Sequence, residues 1–186
     1  MNVQLELRMD KPAFLAWVQE HEGRYELAGS RVVMMTGGSR GHAILVRRLA
    51  SALEKRLDSK RWTVLTSDFG VDVGPSTVRY PDVVVDVAGG QPKDLTATAP
   101  VLIAEIISTS SARDDLGVKA EEYVRLPTLS AYLVLAQDEP KVQVWLRTAE
   151  GFSPKPRIFE GRDAAIEFAS LGIDLPLAEL YAAFEG

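Results

Sequence analysis

Leucines recur at every fourth position between residues 45 and 57 of the chain, as Leu45, Leu49, Leu53 and Leu57. A spacing close to the helical period of 3.6 residues places such side chains on one face of an α-helix. The pattern therefore predicts a long helix that begins at His42 and packs firmly against a sheet.

Two further helices are predicted from the residues at their ends. Asp10, followed by Pro12 in the first turn, is typical of a helix start, and Gly23 would end that helix. Ser111, with an aspartate three residues later, resembles a capping box, and this second helix would run to about Arg125.

Short apolar runs bounded by turn-forming residues predict strands. Residues 24–35 alternate on either side of an Ala-Gly-Ser turn and predict a hairpin. The other predicted strands are 62–66, 69–73, 82–87, 101–107, 131–136, 141–147 and 157–159. A short apolar segment, 164–169, and a final short helix, 178–184, end the chain. This order of helices and strands predicts an α/β fold with a mixed sheet.

The length and composition predict one domain over residues 1–186, divided into an N-terminal helix (1–22), a core (23–150) and a closing segment (151–186). No apolar run approaches the roughly 20 residues of a membrane span, and the N-terminus has no apolar leader. There are no cysteines, which excludes disulfides and cysteine-based zinc sites. We therefore expect a cytoplasmic protein with no membrane partner.

The net charge of −5 argues against a protein that coats nucleic acid by charge alone. It leaves a nucleic-acid enzyme open, because acidic metal sites contribute negative charge. One basic cluster lies on and after the leucine-rich helix: Arg47, Arg48, Lys55, Arg56, Lys60 and Arg61. A solvated helix face is the favoured interpretation of this cluster. A nucleic-acid contact through Arg40, Arg47 and Arg48 is the alternative.

An ionisable residue, Glu105, lies within the apolar strand predicted at 101–107. Strand alternation places its side chain on the same face as Val101, Ile103 and Ile107. An unpaired ionised carboxylate on an apolar face is costly. We therefore expect Glu105 to lie near the strand end, at a cleft, with a cation or a basic partner.

Asp82, Glu105 and Lys119 together supply the parts of a metal-dependent phosphodiesterase site. Mg²⁺ prefers oxygen ligands, usually one or two protein carboxylates with water and substrate oxygens. Such an ion activates water and offsets charge on the scissile phosphate, and a lysine adds a cation near the reacting atoms. Asp86, on the strand face of Asp82, is a further candidate ligand, with a solvated strand-end carboxylate as the usual alternative. Asp115, four residues before Lys119, could orient that lysine.

Each of these residues also has a structural interpretation. Glu105 could form a buried ion pair with an arginine, and Asp82 could cap a turn. Asp115 and Lys119 could be an ordinary surface pair. From the residues alone, the functional and structural interpretations are evenly balanced.

Three blocks of sequence favour the functional interpretation. They are YELAGSRVVMM followed by GHAILVRRL, then RYPDVVV, then VLIAEIISTSSARDDLGVKAEEYVRLPTLSAYLVL. These blocks resemble the PD-(D/E)XK restriction-endonuclease-like superfamily. More narrowly, they resemble the Uma-two family of small bacterial proteins, for which endonuclease activity is inferred. The likeness continues through KVQVW to GIDLPLAELY and so covers nearly the whole chain.

The resemblance implies a restriction-endonuclease-like mixed β-sheet flanked by helices, with a divalent metal at one end. Asp82 and Glu105 match the metal-binding acids of the family, and Lys119 matches a lysine on the next helix. Ile107 stands where the superfamily motif has lysine. The functional interpretation therefore depends on Lys119 reaching back into the site.

Three more residues match family positions and are additional candidate site members. Asp115 matches the acid before that lysine, Glu26 matches an acid in the first hairpin, and His42 matches a histidine that opens the long helix. For His42, a histidine bonded to backbone at a helix start is an equal alternative. For Glu26, a solvated strand residue is the favoured alternative.

The resulting hypothesis is a hydrolytic endonuclease with Mg²⁺ or Mn²⁺ as cofactor and nucleic acid, DNA before RNA, as partner. Water activated by a metal that Asp82 and Glu105 hold would attack phosphorus, with Lys119 positioning the water or stabilising charge. A catalytically inactive nuclease-fold module for binding or assembly is the alternative. Homodimer formation is left open.

Overall fold

The structure, a computed structural model, describes residues 7–107 and 116–182 of the chain. The helices and strands of this part, in chain order, are α1 (Lys11–Trp17), β1 (Tyr25–Ala28), β2 (Arg31–Met34), α2 (Arg40–Glu54), β3 (Trp62–Thr66), β4 (Val71–Gly74), β5 (Thr77–Arg79), β6 (Val83–Val87), β7 (Leu102–Ile107), α3 (Val118–Tyr123), β8 (Ala131–Ala136), β9 (Lys141–Thr148), β10 (Gly151–Phe152), β11 (Arg157–Glu160), β12 (Ala165–Phe168), β13 (Ile173–Pro176) and α4 (Leu177–Tyr181).

The largest sheet has seven strands in the order β10-β9-β8-β7-β6-β3, and β11 pairs with another part of β9. β7 and β8 run parallel, whereas the other paired strands are antiparallel. Parallel neighbours need a crossover connection, and α3 lies in the chain between β7 and β8. The predicted mixed sheet is therefore confirmed, and the strands predicted at 62–66 and 131–136 have the same bounds as β3 and β8.

A second sheet has four strands in the order β2-β1-β5-β4. The β1–β2 hairpin turns at Gly29 and Ser30, whose φ angles of 57° and 66° are both positive. A two-residue turn with two positive φ angles matches the twist of the strands that it joins, and the predicted hairpin is confirmed. β12 and β13 form a third sheet, so the apolar segment 164–169 contains a strand. The final helix is α4.

Helix α2 packs its leucine stripe onto one face of the seven-stranded sheet, as predicted. Leu45, Leu49 and Leu53 have no exposed surface and lie in one cluster with side chains from the central strands. The helix begins two residues before the predicted start at His42. The reason is Ser39, whose Oγ accepts a hydrogen bond of 3.1 Å from the backbone N–H of His42 and so caps the helix.

Strands β6 and β7 are buried on both faces. Val83 and Leu102 pack in the cluster beneath α2, whereas Val84 and Ile103 pack on the opposite face with Tyr123 of α3. Strands that are covered on both sides have nearly continuous apolar runs instead of alternating ones. This burial explains the sequence of both strands and the cost of placing a carboxylate in either of them.

The two other predicted helices are partly confirmed. α1 begins at its predicted cap, where Asp10 accepts a backbone hydrogen bond of 2.9 Å from the first turn. It ends at Trp17, earlier than predicted, and Gly23 lies in the turn that leads to β1 with φ of 110°. α3 occupies the later part of the third predicted helix. The predicted cap at Ser111 and Asp114 lies outside the described residues.

These elements form a single domain of mixed sheets flanked by few helices. Within residues 7–107 and 116–182, no helix is long and apolar enough to cross a membrane. The ends of β6 and β7 and the start of α2 meet beside the β1–β2 hairpin, where a cleft opens.

Replacement of Leu49 by alanine should strongly destabilise the fold, because its side chain is fully buried between α2 and the sheet. Such core truncations cost about 2–5 kcal/mol, which urea denaturation followed by circular dichroism measures. Ile158→Ala on β11, where 56% of the residue surface is exposed, is the matched control and should cost much less. Equal losses in the two variants would contradict this packing.

Candidate active site

A cleft of about 790 Å³ lies between the β1–β2 hairpin, the loop 36–39 and helix α3. Five of the six residues predicted for the catalytic site line this cleft. They are Glu26, His42, Asp82, Glu105 and Lys119. The sixth, Asp115, lies outside the described residues.

Asp82 and Glu105 lie side by side on neighbouring strands. The antiparallel register pairs Val83 with Ala104 and Val84 with Ile103. Continuing this register by one residue places Asp82 opposite Glu105. Directly opposite residues have Cβ atoms about 4.5–5.5 Å apart, so the two carboxylates share one end of this strand pair.

Asp82 is 7% exposed and accepts two hydrogen bonds through the same oxygen. The backbone N–H of Ile106 donates to Oδ2 at 2.7 Å, and His42 Nε2 lies 3.0 Å from the same atom. Within the described part of the chain, Oδ1 accepts no hydrogen bond. Asp82 is thus fixed through one oxygen, and the residue lines the cleft.

His42 reaches Asp82 from the first turn of α2. An ionised carboxylate only accepts hydrogen bonds, so Nε2 of His42 carries the hydrogen in this contact. The sequence left open whether the His42 side chain bonds to backbone or to the site. In the structure its ring lies against the carboxylate.

Glu105 is 4% exposed, and its Oε1 has a cationic partner, as expected for a carboxylate on an apolar face. Lys119 Nζ lies 3.1 Å from Oε1, and the Tyr123 hydroxyl donates to the same oxygen at 3.0 Å. Among residues 7–107 and 116–182, the cation on Oε1 is a lysine, whereas the structural alternative expected an arginine. Ile103 shares the face of Glu105, whereas Val101, which precedes β7, packs on the other face.

Tyr123 lies in the third sequence block that carries the family resemblance, and the sequence analysis assigned it no role. The residue has no exposed surface, and its ring packs against Tyr132 at a centroid distance of 5.1 Å. Burial, followed by the nearby charge of Glu105, raises the pKa of the Tyr123 hydroxyl well above its ordinary value. The hydroxyl therefore keeps its proton and remains a donor to Glu105.

Arg79, which the sequence analysis missed, links three elements across the cleft. Its Nη1 donates to Glu26 Oε1 on β1 at 2.6 Å, and Nε and Nη2 donate to Glu122 on α3 at 2.7 and 3.0 Å. Burial alone would lower the pKa of this guanidinium. The hydrogen bond to Glu122 and the charges of both glutamates outweigh burial and raise the pKa. The one available signal was an arginine three residues before Asp82, in the block RYPDVVV.

Glu26 is buried, so the favoured alternative of a solvated strand residue was wrong. Only 9% of the residue is exposed, because Glu26 faces the cleft beneath the hairpin and pairs with Arg79. Its second oxygen, Oε2, is buried and has no hydrogen-bond partner within the described residues. Glu26 therefore contributes a carboxylate to the lining of the cleft.

Among the described residues, the lining of the cleft carries as many carboxylates as cations. Its four carboxylates are those of Glu26, Asp82, Glu105 and Glu122, and its four cations are those of Arg24, Arg31, Arg79 and Lys119. Arg24 and Arg31 are more exposed than Arg79 and Lys119.

Asp86 lies on the same strand face as Asp82 but anchors a loop. Its two oxygens accept hydrogen bonds of 2.8 and 2.7 Å from the backbone N–H groups of Thr98 and Ala99. It does not line the cleft. The structure therefore separates Asp86 from the two carboxylates with which it was grouped.

The three arginines predicted to contact nucleic acid lie away from the cleft lining. Arg40 and Arg47 are exposed on α2. Arg48 donates a hydrogen bond of 3.0 Å to the carbonyl of Leu180 in α4. Arg47 and Arg48 line a small hollow that also contains Glu179. A nucleic-acid contact at these residues stays a prediction.

Replacement of Arg79 by methionine should destabilise the protein strongly, because two carboxylates would lose their shared buried cation. Breaking a buried pair costs about 3–5 kcal/mol, which urea denaturation measures. Arg56→Met is the control, since Arg56 forms a similar two-point contact with Glu179 at a more exposed position. Loss of that exposed pair should cost about 1 kcal/mol or less. A similar cost in both variants would contradict the role of burial.

The raised pKa of Tyr123 predicts a loss of stability at alkaline pH. Because the folded protein keeps the proton that the unfolded chain releases, the stabilisation is complete below the unfolded pKa of about 10 and is lost as pH rises above it. Tyr123→Phe lacks this titrating group. Its free energy of unfolding should therefore fall less steeply with pH than that of the wild type, by up to about 1.4 kcal/mol per pH unit. Urea denaturation between pH 8 and 11 measures both slopes, and equal slopes would contradict the prediction.

The sequence of this chain is similar to a protein family and to individual known proteins. A family model described as "Uma2: Putative restriction endonuclease" matches residues 12–178. Two uncharacterized proteins of Synechocystis sp. are similar in sequence. One is 25% identical over 150 residues, which are 77% of each chain. The other is 27% identical over 154 residues, which are 80% of this chain and 85% of that protein.

A solved structure shares the fold. It is the crystal structure of a protein from Anabaena variabilis described as a putative nuclease belonging to DUF820. The TM-score is 0.72 at 13% sequence identity, and the match covers 90% of this chain and 97% of that one. This likeness confirms the predicted restriction-endonuclease-like fold, and the family model covers most of the chain. The chain therefore belongs to the Uma2 family of putative restriction endonucleases.

Proposed function

We propose that this protein is an endonuclease that hydrolyses phosphodiester bonds in nucleic acid, with DNA as the favoured substrate and Mg²⁺ or Mn²⁺ as its cofactor. The observation that carries the proposal is the position of Asp82 opposite Glu105, with Lys119 on Glu105, in one cleft. Family membership supports the nuclease class. The metal, the site residues and DNA as substrate are our proposals.

The residues of the cleft fit a hard divalent cation. Asp82 and Glu105 offer carboxylate oxygens, and the two hydrogen bonds to Asp82 both meet Oδ2, so Oδ1 can face a ligand. The register brings the carboxylates of Asp82 and Glu105 together on neighbouring strands, and a divalent cation would offset their charge.

The site resembles those in which the protein supplies only part of the coordination shell. Within residues 7–107 and 116–182, no group of three or more histidine, aspartate or glutamate side chains is arranged to hold a metal ion. Mg²⁺ commonly takes one or two protein carboxylates and completes its shell with water and substrate phosphates. Asp82 and Glu105 would hold the ion in this way.

A bound ion would lower the pKa of a coordinated water and offset charge on the scissile phosphate. The chain itself supplies the orienting groups. His42 and the Ile106 N–H fix the carboxylate of Asp82, and the Tyr123 hydroxyl fixes that of Glu105. Lys119 places an ammonium beside Glu105, where it would orient the attacking water or stabilise charge on the phosphate.

Lys119 is the candidate replacement for the lysine that the superfamily motif has at position 107. Ile107 stands where the motif has lysine, so a cation must come from elsewhere. Lys119 Nζ reaches Glu105 Oε1 from α3, which supports the proposal that Lys119 takes the role of the motif lysine. Arg24 and Arg31, at more exposed positions of the same cleft, would contact substrate phosphates. Homodimer formation and a cytoplasmic location stay predictions.

Calorimetric titration with Mn²⁺ tests the metal site directly. Wild-type protein should bind Mn²⁺, and both Asp82→Asn and Glu105→Gln should weaken binding at least about tenfold, because each removes a charged ligand. Asp86→Asn is the matched control: it changes a buried carboxylate of β6 that lies outside the cleft, and Mn²⁺ affinity should stay at the wild-type value.

Cleavage assays on plasmid and single-stranded DNA then separate binding from catalysis. Lys119→Met should keep Mn²⁺ affinity but lose roughly 10²- to 10³-fold in cleavage rate, because a charge-stabilising group is gone. Circular dichroism confirms that each variant is folded. A folded wild type that binds no Mn²⁺ at millimolar concentration would instead favour the inactive nuclease-fold module.

A further inference from the structure

The loop before helix α2 contains a glycine that lies directly against the ring of His42. A Cβ atom built at Gly38 would lie 2.6 Å from Nδ1, 2.8 Å from Cγ and 3.2 Å from Cβ of His42. Contacts shorter than about 3 Å are well inside the optimal separation of non-bonded heavy atoms. A side chain at Gly38 and the present position of the His42 ring therefore exclude each other.

The preceding residue provides a natural comparison. A Cβ atom built at Gly37 would have no heavy atom within 4 Å. Neither Gly37 nor Gly38 has a positive φ angle, so the backbone itself does not demand glycine at either position. The requirement at Gly38 is steric and concerns His42.

The His42 ring has little freedom to avoid such a contact. Two of the three close atoms, Cγ and Cβ, are at the root of the side chain, so rotation of the ring about χ2 would not relieve the overlap. The backbone of His42 is also held: its N–H donates to Ser39 Oγ at 3.1 Å, and that hydroxyl donates to Gln137 Oε1 at 2.9 Å.

We infer that Gly38 is a positioning residue that keeps a slot open for the His42 ring and thereby orients Asp82. With the slot filled, the ring must leave its place 3.0 Å from Asp82 Oδ2. Among the described residues, Asp82 then keeps the hydrogen bond from the Ile106 N–H alone and gains rotational freedom. The significance of this for metal binding rests on the proposed function.

Nuclear magnetic resonance of the metal-free protein tests the slot without any assumption about activity. The chain has two histidines. His21, in the segment after α1, stacks on Trp17 at a centroid distance of 3.9 Å, and neither residue lines the cleft. In Gly38→Ala the ring resonances of His42 should shift while those of His21 stay in place. In Gly37→Ala both sets should match the wild type. Unshifted His42 resonances in folded Gly38→Ala would overturn the inference.

A double-mutant cycle tests whether the effect passes through His42. Gly38→Ala should lower the melting temperature of the wild type but leave that of His42→Ala unchanged, because the clash is then absent. If Gly38→Ala alone does not fold, the double variant Gly38→Ala/His42→Ala should fold. Additive effects, or a double variant that also fails to fold while His42→Ala folds, would show that the steric conflict is not with His42.

Mn²⁺ titration of the same variants tests whether the position of the His42 ring affects metal binding at the proposed site. Gly38→Ala should weaken Mn²⁺ binding roughly 10- to 100-fold, as is typical when the partner of a metal ligand is lost, and Gly37→Ala should not. Gly38→Ala with wild-type affinity would overturn the link to Asp82. If the wild type binds no Mn²⁺, shifted His42 resonances and a non-additive cycle still support the slot, and only the proposed function fails.

Discussion

The buried carboxylate of Glu105 determines where helix α3 lies beside the cleft. It lies in β7, a strand that is covered on both faces, where an isolated charge would be costly. Its Oε1 receives an ammonium from Lys119 and a hydroxyl from Tyr123, which are one turn apart on α3. Satisfying one buried oxygen therefore fixes both the position and the rotation of a helix only six residues long.

A second buried charge holds the opposite wall of the cleft to the same helix. Arg79 contacts Glu26 of β1 and Glu122 of α3, so the hairpin and the helix share one guanidinium. Because Glu122 lies between Lys119 and Tyr123 in a short helix, the Arg79 pair and the Glu105 pair support each other. Buried pairs are weak evidence of net stability, but here they set the spacing of the cleft walls.

Local sequence patterns were sufficient to predict the main elements of the fold and to identify Asp82 and Glu105. The leucine stripe of α2 and the apolar runs of β3 and β8 are properties of neighbouring residues, and they predicted these elements closely. Glu105 was identifiable because a carboxylate in an apolar run contradicts its surroundings. The capping pattern at Ser111 and the four-residue spacing from Asp115 placed Lys119 on the next helix, and the family resemblance strengthened its assignment to the site.

Long-range contacts explain what the sequence did not reveal. Arg79 and Glu122 are 43 residues apart, and no local pattern pairs them. The steric role of Gly38 depends on how the loop folds back over the first turn of α2, and glycine in a polar loop normally indicates only a turn. The burial of Glu26 was also missed, because the hairpin sequence does not show that one of its faces meets Arg79 and lines a cleft.

Asp82 and Asp86 show why residue type and strand face are insufficient to identify a ligand. The two aspartates are four residues apart, are both buried and project on the same side of β6. Both oxygens of Asp86 accept hydrogen bonds from backbone N–H groups of one loop, so this carboxylate holds the loop in place. Asp82 takes its two donors on one oxygen. The difference between a loop anchor and a candidate metal ligand thus lies in how donors are distributed over the carboxylate, and that distribution is set by His42 and the strand register.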